Sequence, residues 1–390
     1  MIRWKILRQS INSLLGVILL WSCSDKKIDS EQDIFLEFSE RKEFLIGWDG
    51  LYNSTYAPFH LDDTWEKGLI YNYMNHSLDS IFFEKDSAYS KTGEPMEVEG
   101  PSGVGKIGSF FVWKDTIVLF TVNEFFFKSL ETGQVKKKLI KNYPEFKDNV
   151  FMSIRSSSIF ENRFTSFDSE DDKAIFFISD EIQMDQMIWK FDFQNDLFEK
   201  IPIKLDTIKL KNYSPKFRIK RGSISGMDAP SLSLINQKLI LSFPGFCDFI
   251  VFELQDQSQR DFSYESGLFP LERVISDFPS EELEIREAID LSSAWQNQVT
   301  FGPFGYLEKE EVYFRLVVGP KQENSQQDAD IFIEIFDKGF NKLVEKNLSS
   351  INQDIKRNYA FTKHGLALIA KDQPDEDVMY FYYLDILRSK

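Results

Sequence analysis

Residues Gly100–Gln134 read GPSGVGKIGSFFVWKDTIVLFTVNEFFFKSLETGQ, the pattern of a small antiparallel sheet. A glycine-rich approach leads into an apolar stretch, Ser109–Trp113, and Lys114-Asp115 makes a tight polar turn. A second apolar stretch, Thr116–Val122, follows, then a third, Glu124–Leu130, closed by Glu131-Thr132-Gly133. Short runs of β-branched and aromatic residues bounded by turn formers predict strands.

The order of features in this unit returns along the chain, which decides the fold. The polar turns at Asp62–Gly68, Lys114-Asp115, Glu170–Lys173, Asn236–Lys238, Glu308–Glu311 and Lys363–Gly365 each precede a strongly apolar run. Those runs are LIYNYM (Leu69–Met74), TIVLF (Thr116–Phe120), AIFFI (Ala174–Ile178), LILSF (Leu239–Phe243), VYFRLVV (Val312–Val318) and LALIA (Leu366–Ala370). An aromatic, alternating strand follows each one, from DSIFFEKD (Asp79–Asp86) through DIFIEIFDKG (Asp330–Gly339) to DVMYFYYLD (Asp377–Asp385). Period-two alternation marks half-buried antiparallel strands. A short fourth strand completes most units, as at Val135–Ile140, Leu197–Lys204 and Lys342–Leu348.

Six such units predict an all-β chain, a six-bladed β-propeller of four-stranded antiparallel blades. The turns recur at roughly 50 to 70 residues, against roughly 40–45 for a compact blade, so the excess falls in loops between units. The last unit ends at Leu387 without room for a fourth strand, and the early strand Asp33–Ser39 has no unit of its own. Pairing the two closes the ring and removes the exposed edges. A β-sandwich is the competing architecture, but it does not explain six copies. One helical insertion is expected over Ser280–Gln296, with Ser280 as N-cap behind Pro279 and Leu283, Ile285, Ala288, Ile289 and Trp295 as its apolar stripe.

Residues 1–22 stand apart from this pattern. Arg3, Lys5 and Arg8 precede an apolar segment, Ile11–Trp21, too short to span a bilayer, and Leu20-Trp21-Ser22-Cys23 resembles a bacterial lipobox. The expected organisation is therefore a lipoprotein signal peptide (1–22), a lipidated tether (23–32) beginning at Cys23, and one propeller domain (33–390). Loss of the signal takes the formal net charge from −16 to −19, which argues against nucleic acid, whose affinity rests on lysine and arginine. With Cys23 lipidated, Cys247 has no disulfide partner, and its apolar surroundings, Phe243–Phe252, predict an inert core thiol.

The lipobox followed by GPSGVGKIGSFFVW, a charged turn and an aromatic strand is similar to a family of Bacteroidota lipoproteins built on a six-bladed, NHL/TolB-like β-propeller. The resemblance covers roughly Phe44 to the C-terminus in organisation, and Gly100–Phe120 is the part close enough to quote. It implies architecture, an envelope location and a capacity for binding. No activity is assigned to that family, so no catalytic residue carries over.

The motifs that could carry chemistry are sparse. Gly103–Gly108 matches GxGxxG, but polar residues precede it and a strand follows it, whereas a dinucleotide site needs a strand before and a helix after. Its glycines are expected to permit a tight bend between units. His60, His76 and His364 are far apart, and the acidic clusters at Asp168–Asp172, Asp328–Asp330 and Asp372–Asp377 lack calcium-loop spacing. No metal and no cofactor is implied. Nor is there a GxSxG, an HExxH or a paired Cys–His. Asn72, Arg315 and His364 are candidates to line a central channel, as is Lys190; for Arg315 the alternative is an ordinary outward position on an alternating strand. Asp79-Ser80-Ile81, Asp86-Ser87-Ala88, Asp115-Thr116-Ile117 and Asp206-Thr207-Ile208 fit the Asp-(Ser/Thr)-apolar pattern of Bacteroidota O-glycosylation, and equally fit turns entering strands.

These observations favour a non-catalytic module tethered through Cys23 to a bacterial membrane, at the outer membrane because Ser24 rather than Asp follows the cysteine. Its expected partner is a protein, peptide or glycan, held by the loops Asn142–Arg163 and Leu205–Asp228 and the helix Ser280–Gln296. The alternative is a propeller enzyme, a metal-dependent hydrolase or lyase, with histidines and carboxylates converging at the channel.

Overall fold

The computed structural model describes residues 34–45, 59–61, 67–84, 87–105, 107–121, 123–146, 150–152, 165–168, 172–180, 185–225, 230–275, 278–321, 328–362, 364–375 and 378–388. Cys23 and the signal segment lie outside them. The chain divides into a compact unit, Leu36–Leu387, and a remainder of which few residues are described.

The unit is mostly β with few helices. Three of its sheets are four-stranded and antiparallel, each a simple meander of neighbours in sequence: residues 109–139, 231–262 and 300–347. The quoted stretch folds as read, with strands Ser109–Trp113, Thr116–Phe120, Glu124–Ser129 and Val135–Leu139. Lys114 takes the left-handed conformation (φ 52°) that its two-residue turn requires. Residues 150–201 form a five-stranded sheet, in which Val150–Met152 and Thr165–Asp168 both pair with Lys173–Asp180. The strand hairpin Lys216–Ile219 and Gly222–Ser225 stands separately.

The two ends of the unit share a nine-stranded sheet. The expected pairing of the early strand with the C-terminal strand is present: Ser39 N donates to Tyr383 O (2.9 Å), and Phe38 packs edge-on against Tyr382. A second segment, Lys42–Leu45, was not expected. It pairs antiparallel with Val378–Arg388 and parallel with Ser87–Lys91, joining the strands of residues 355–388 to those of residues 59–91. Uniformly four-stranded blades are therefore not what the described sheets show.

The apolar runs bury both faces because successive sheets stack on one another. In AIFFI, Ala174, Phe176 and Ile178 join Phe111, Val118, Phe120 and Phe125 of the preceding sheet. Ile175 and Phe177, pointing the other way, join Leu232, Leu239 and Leu241 of the following one. Ile240, Phe249 and Val251 then meet Phe304, Tyr313 and Phe336. At the other end Tyr71 packs with Phe110, Leu119 and Phe126, and Ile81 and Phe83 with Phe381 and Tyr383. Each sheet contact is thus made of alternate residues from neighbouring units.

The glycine-rich approach is a tight bend. A Cβ at Gly103 would fall 2.6 Å from the backbone of Glu99, so only glycine fits. Val104 and Ile107 enter the core beside Tyr71 and Phe110, which explains a strand-bounded turn in place of a nucleotide loop.

The helical expectation needs two corrections. The insertion helix is Ile285–Gln296, not Ser280–Gln296, and Ser280 does not cap it. Leu283 N donates to Arg218 O (2.8 Å), and Leu283 bridges Ile219 in parallel, which keeps the chain extended through Glu284. Nor is it the single helix: Thr207–Asn212 is helical too, with the Asp206 side chain accepting from Lys209 N.

Candidate functional site

Around the turn Phe243–Asp248 (FPGFCD) long connections converge. The turn joins the strands Lys238–Ser242 and Phe249–Glu253. Its backbone is tied down on several sides: Cys247 N donates to Leu271 O (2.7 Å), Arg273 N to Gly245 O (2.9 Å) and Phe301 N to Pro244 O (3.1 Å). A Cβ at Gly245 would lie 2.8 Å from the Tyr213 ring, so the ring's seat on the turn requires glycine there.

Side chains from two connections complete the arrangement. Lys209, on the short helix, donates to Asp248 Oδ2 (2.6 Å) and lies 4.2 Å from the centre of the Phe246 ring. Burial alone would raise the Asp248 carboxyl, but hydrogen bonds from Lys209 and Ser263 outweigh it and hold it below its ordinary value. Tyr213 OH donates to Glu272 Oε2 (2.5 Å); burial and that carboxylate both push the phenol up. Buried Arg273 donates to Val299 O and Thr300 Oγ1 (2.9 Å each) and covers the Trp295 ring. Cys247 is buried, its thiol raised by burial and by the Asp248 charge, so it is a protonated core group as expected.

Outside this rigid centre, Ile208 on the short helix is 75% exposed, and on the connection that carries Glu272 and Arg273, Val274 is 74% exposed and Leu268, Leu271 and Ile275 are exposed as well. The chemistry available is thus a fixed platform with an aliphatic rim. Lys209 and Asp248 pair with each other, Glu272 accepts from Tyr213, Arg273 is engaged with Val299 O and Thr300 Oγ1, and the Cys247 thiol faces the Asp248 carboxylate (3.6 Å). Such a platform can hold a partner.

A model of a domain of unknown function, DUF4221, matches residues 33–347. The chain belongs to the DUF4221 family. Among solved structures, a DUF4221 member from Bacteroides vulgatus superposes with a TM-score of 0.68 at 14% identity, covering 92% of this chain and 100% of that one, so the two share a fold. A candidate exported protein from Bacteroides fragilis is similar at 10% identity and a TM-score of 0.49, over 93% and 98% of the two chains. The WD40 domain of Neurospora crassa Pan2 is similar at 9% identity and 0.41, over 85% and 90%. No curated protein matches the chain.

In this DUF4221 chain the residues proposed from sequence to line a channel have separate surroundings. Asn72 is buried at the end of the strand Lys67–Asn72, where its amide donates to Asp79 Oδ2 (2.9 Å) and its oxygen accepts from Met74 N and Asn75 N of the turn that follows. Arg315 is neither channel-lining nor outward: it is fully buried between two sheets. Its Nε donates to Glu334 Oε2 (2.6 Å) and its Nη2 to Cys247 O (2.8 Å), with Phe249, Phe301, Phe304 and Phe336 around the guanidinium. His364 is half-buried near the Tyr383 ring. Lys190 is a partly exposed strand residue paired with Glu199.

Of the other histidines, His76 bonds through Nδ1 to Tyr71 OH; burial lowers the imidazole and raises the phenol to about 12. The His60 side chain and most of the loop Asn142–Arg163 lie outside the described residues. Among the described residues, no three His, Cys, Asp or Glu side chains are grouped to hold a metal ion. Asp79 of the first glycosylation pattern is buried and accepts from Ser77 Oγ and Gly93 N, whereas Thr207 of the last is exposed.

Sequence reasoning named the connection Leu205–Asp228 without singling out Lys209 and Tyr213 in it, and did not name the connection that carries Glu272 and Arg273. They sit outside any periodic pattern, and only the Pro244-Gly245 pair signals a tight turn there.

Proposed function

We propose that this DUF4221 protein is a binding module of the cell envelope, anchored by lipid on Cys23 at the outer membrane, with its sheets arranged as a six-bladed propeller. Support for the ring comes from the stacking of each unit on the next and from the shared sheet of the two chain ends. The lipobox-like sequence Leu20-Trp21-Ser22-Cys23 supports a lipid anchor.

The observation that carries the binding reading is the aliphatic rim, Ile208, Leu268, Leu271, Val274 and Ile275, around the immobilised turn Phe243–Asp248. Exposed aliphatic side chains on a rigid support are the surface of a recognition site. They suit a protein or peptide ligand better than a glycan, whose hydroxyls ask for free polar groups, and those are already engaged here.

Two experiments test this reading. A photo-crosslinking residue at position 208 or 274, introduced in the native host, captures a discrete partner, while one at Lys136 on the 109–139 sheet does not. Equal capture at all three positions, or none at 208 and 274, overturns the binding face. A clickable fatty-acid label incorporated by the natural protein and lost in Cys23→Ala checks the anchor; label retained in that variant refutes it.

A further inference from the structure

A second surface carries a charge pattern of its own. Residues 216–221 hold four lysines and arginines and no acidic residue, in a chain of net charge −16. Residues 281–290 hold five acidic residues against Arg286 alone.

The fold sets these two segments side by side. In the hairpin, Phe217 and Ile219 face inward, against Leu283 and Ala288, so Lys216, Arg218 and Lys220 project to solvent. The parallel bridge between Ile219 and Leu283 lays residues 281–284 along the same strand, and with Leu283 buried, Glu282 and Glu284 project outward too. A basic ridge and an acidic ridge therefore run parallel, about 5 Å apart, the spacing of neighbouring strands. Ile285 and Ile289, one helical turn apart, are exposed beside the acidic ridge.

Lys216, Arg218, Lys220, Arg221, Glu282 and Glu284 make no ion pair among the described residues. Two parallel ridges of opposite sign are self-complementary under a two-fold axis passing between them, because each basic ridge then lies over the partner's acidic one. That is the requirement for an isologous interface. An anionic membrane or polymer would be drawn to one ridge and repelled by the other.

We infer that this surface, hairpin 216–225 with residues 281–290, is a homodimer interface whose occupant is a second copy of this chain. The exposed Ile285 and Ile289 supply the apolar contact, and the ridges fix the register. The inference is independent of what the Phe243–Asp248 turn binds.

Sedimentation equilibrium of the full chain in detergent tests it. The expected result is a dimer at about 50 mM salt whose dissociation constant rises at least about tenfold at about 500 mM, as screening predicts. Arg218→Glu with Lys220→Glu makes both ridges acidic, and Glu282→Lys with Glu284→Lys makes both basic. Each double variant alone should be monomeric with an unchanged circular dichroism spectrum, and the two mixed should form a heterodimer. A monomeric wild type at low salt and tens of micromolar overturns the inference without recourse to any variant. So does a mixture that stays monomeric, or a monomer that instead binds vesicles containing about one-third anionic lipid through the basic ridge.

Discussion

Two seams between neighbouring sheets solve the same problem, a charge where sheets meet, in opposite ways. Between the 109–139 and 150–201 sheets the interior is apolar and mostly aromatic, with Phe125 stacked on Phe191 at 5.1 Å and Phe111 edge-on to Phe193. The charge stands at the end of a turn: Asp172 accepts from Trp113 Nε1 (2.7 Å), Lys114 Nζ (2.7 Å) and Gln194 Nε2 (2.6 Å). Between the 231–262 and 300–347 sheets the charge is in the middle of a strand. Arg315 lies opposite Glu334, and Lys342 reaches Glu334 Oε1 (3.3 Å) and Glu345 Oε2 (2.8 Å) to continue the row. A turn can borrow donors from flexible neighbours and water, but a mid-strand group must find every partner within the protein. Charge in a fold is therefore tolerated at little risk at strand ends and held at high risk at strand centres.

The largest expected effect follows from removing one member of the central pair. Glu334→Leu leaves Arg315 buried without the partner of its Nε and should cost about 3–5 kcal/mol in urea unfolding. Arg315→Met combined with Glu334→Leu should recover most of that, because it is the stranded charge and not the missing pair that destabilises. If the single variant proves no less stable than the double, the buried seam is not sensitive in the way its burial implies.

The Asp172 seam should respond to pH instead. Hydrogen bonds from Lys114 and Gln194, with a lesser one from Trp113, outweigh the opposing effect of burial and pull its carboxyl from the ordinary 3.8 to about 2. A carboxyl depressed in the folded state contributes stability that is complete above its unfolded value and fades as pH falls from there through about 2. Asp172→Asn keeps the left-handed backbone that this position uses (φ 53°), since asparagine accepts it readily. The gap in thermal midpoint between wild type and Asp172→Asn should therefore be widest above pH 4 and narrow toward pH 2. Other depressed carboxyls, Asp192 and Asp248 among them, affect both proteins alike. A gap independent of pH would mean that Asp172 acts through its shape alone.

Much of the contrast was legible in the chain itself. VYFRLVV and IFIEIF are consecutive, wholly apolar strands with one charge apiece, of opposite sign, at positions that an antiparallel pairing brings opposite each other. Read as a pair they announce a buried ion pair; read singly, Arg315 looked like a channel or surface residue. The strands of the 109–139 sheet likewise fall within two residues of their expected ends. The Lys42–Leu45 strand was not legible, because KEFL is too short and polar to read as a strand and its partner Val378–Arg388 is at the far end of the chain. The Tyr213–Glu272 link escaped for a related reason: it joins two connections 59 residues apart, where no period constrains the sequence. Local pattern specifies the sheets, and long-range closure specifies the site.

The smallest effect belongs to Lys114, and it separates charge from backbone. Its side chain is 60% exposed, so its ion pair with Asp172 is screened by water and salt and adds little on its own. Lys114 also occupies a left-handed turn position, which costs a residue with a side chain something that glycine avoids. Lys114→Ala, losing the pair but keeping the backbone cost, should lower the thermal midpoint slightly, less than Asp172→Asn does, and the deficit should vanish in about 0.5 M salt. Lys114→Gly, losing the pair and easing the turn, should unfold at or above the wild-type temperature. Were Lys114→Ala to lose as much as Asp172→Asn, the rim would depend on the lysine's charge rather than on the indole and amide donors beside it. The first seam would then be as charge-dependent as the second, although the lysine is exposed.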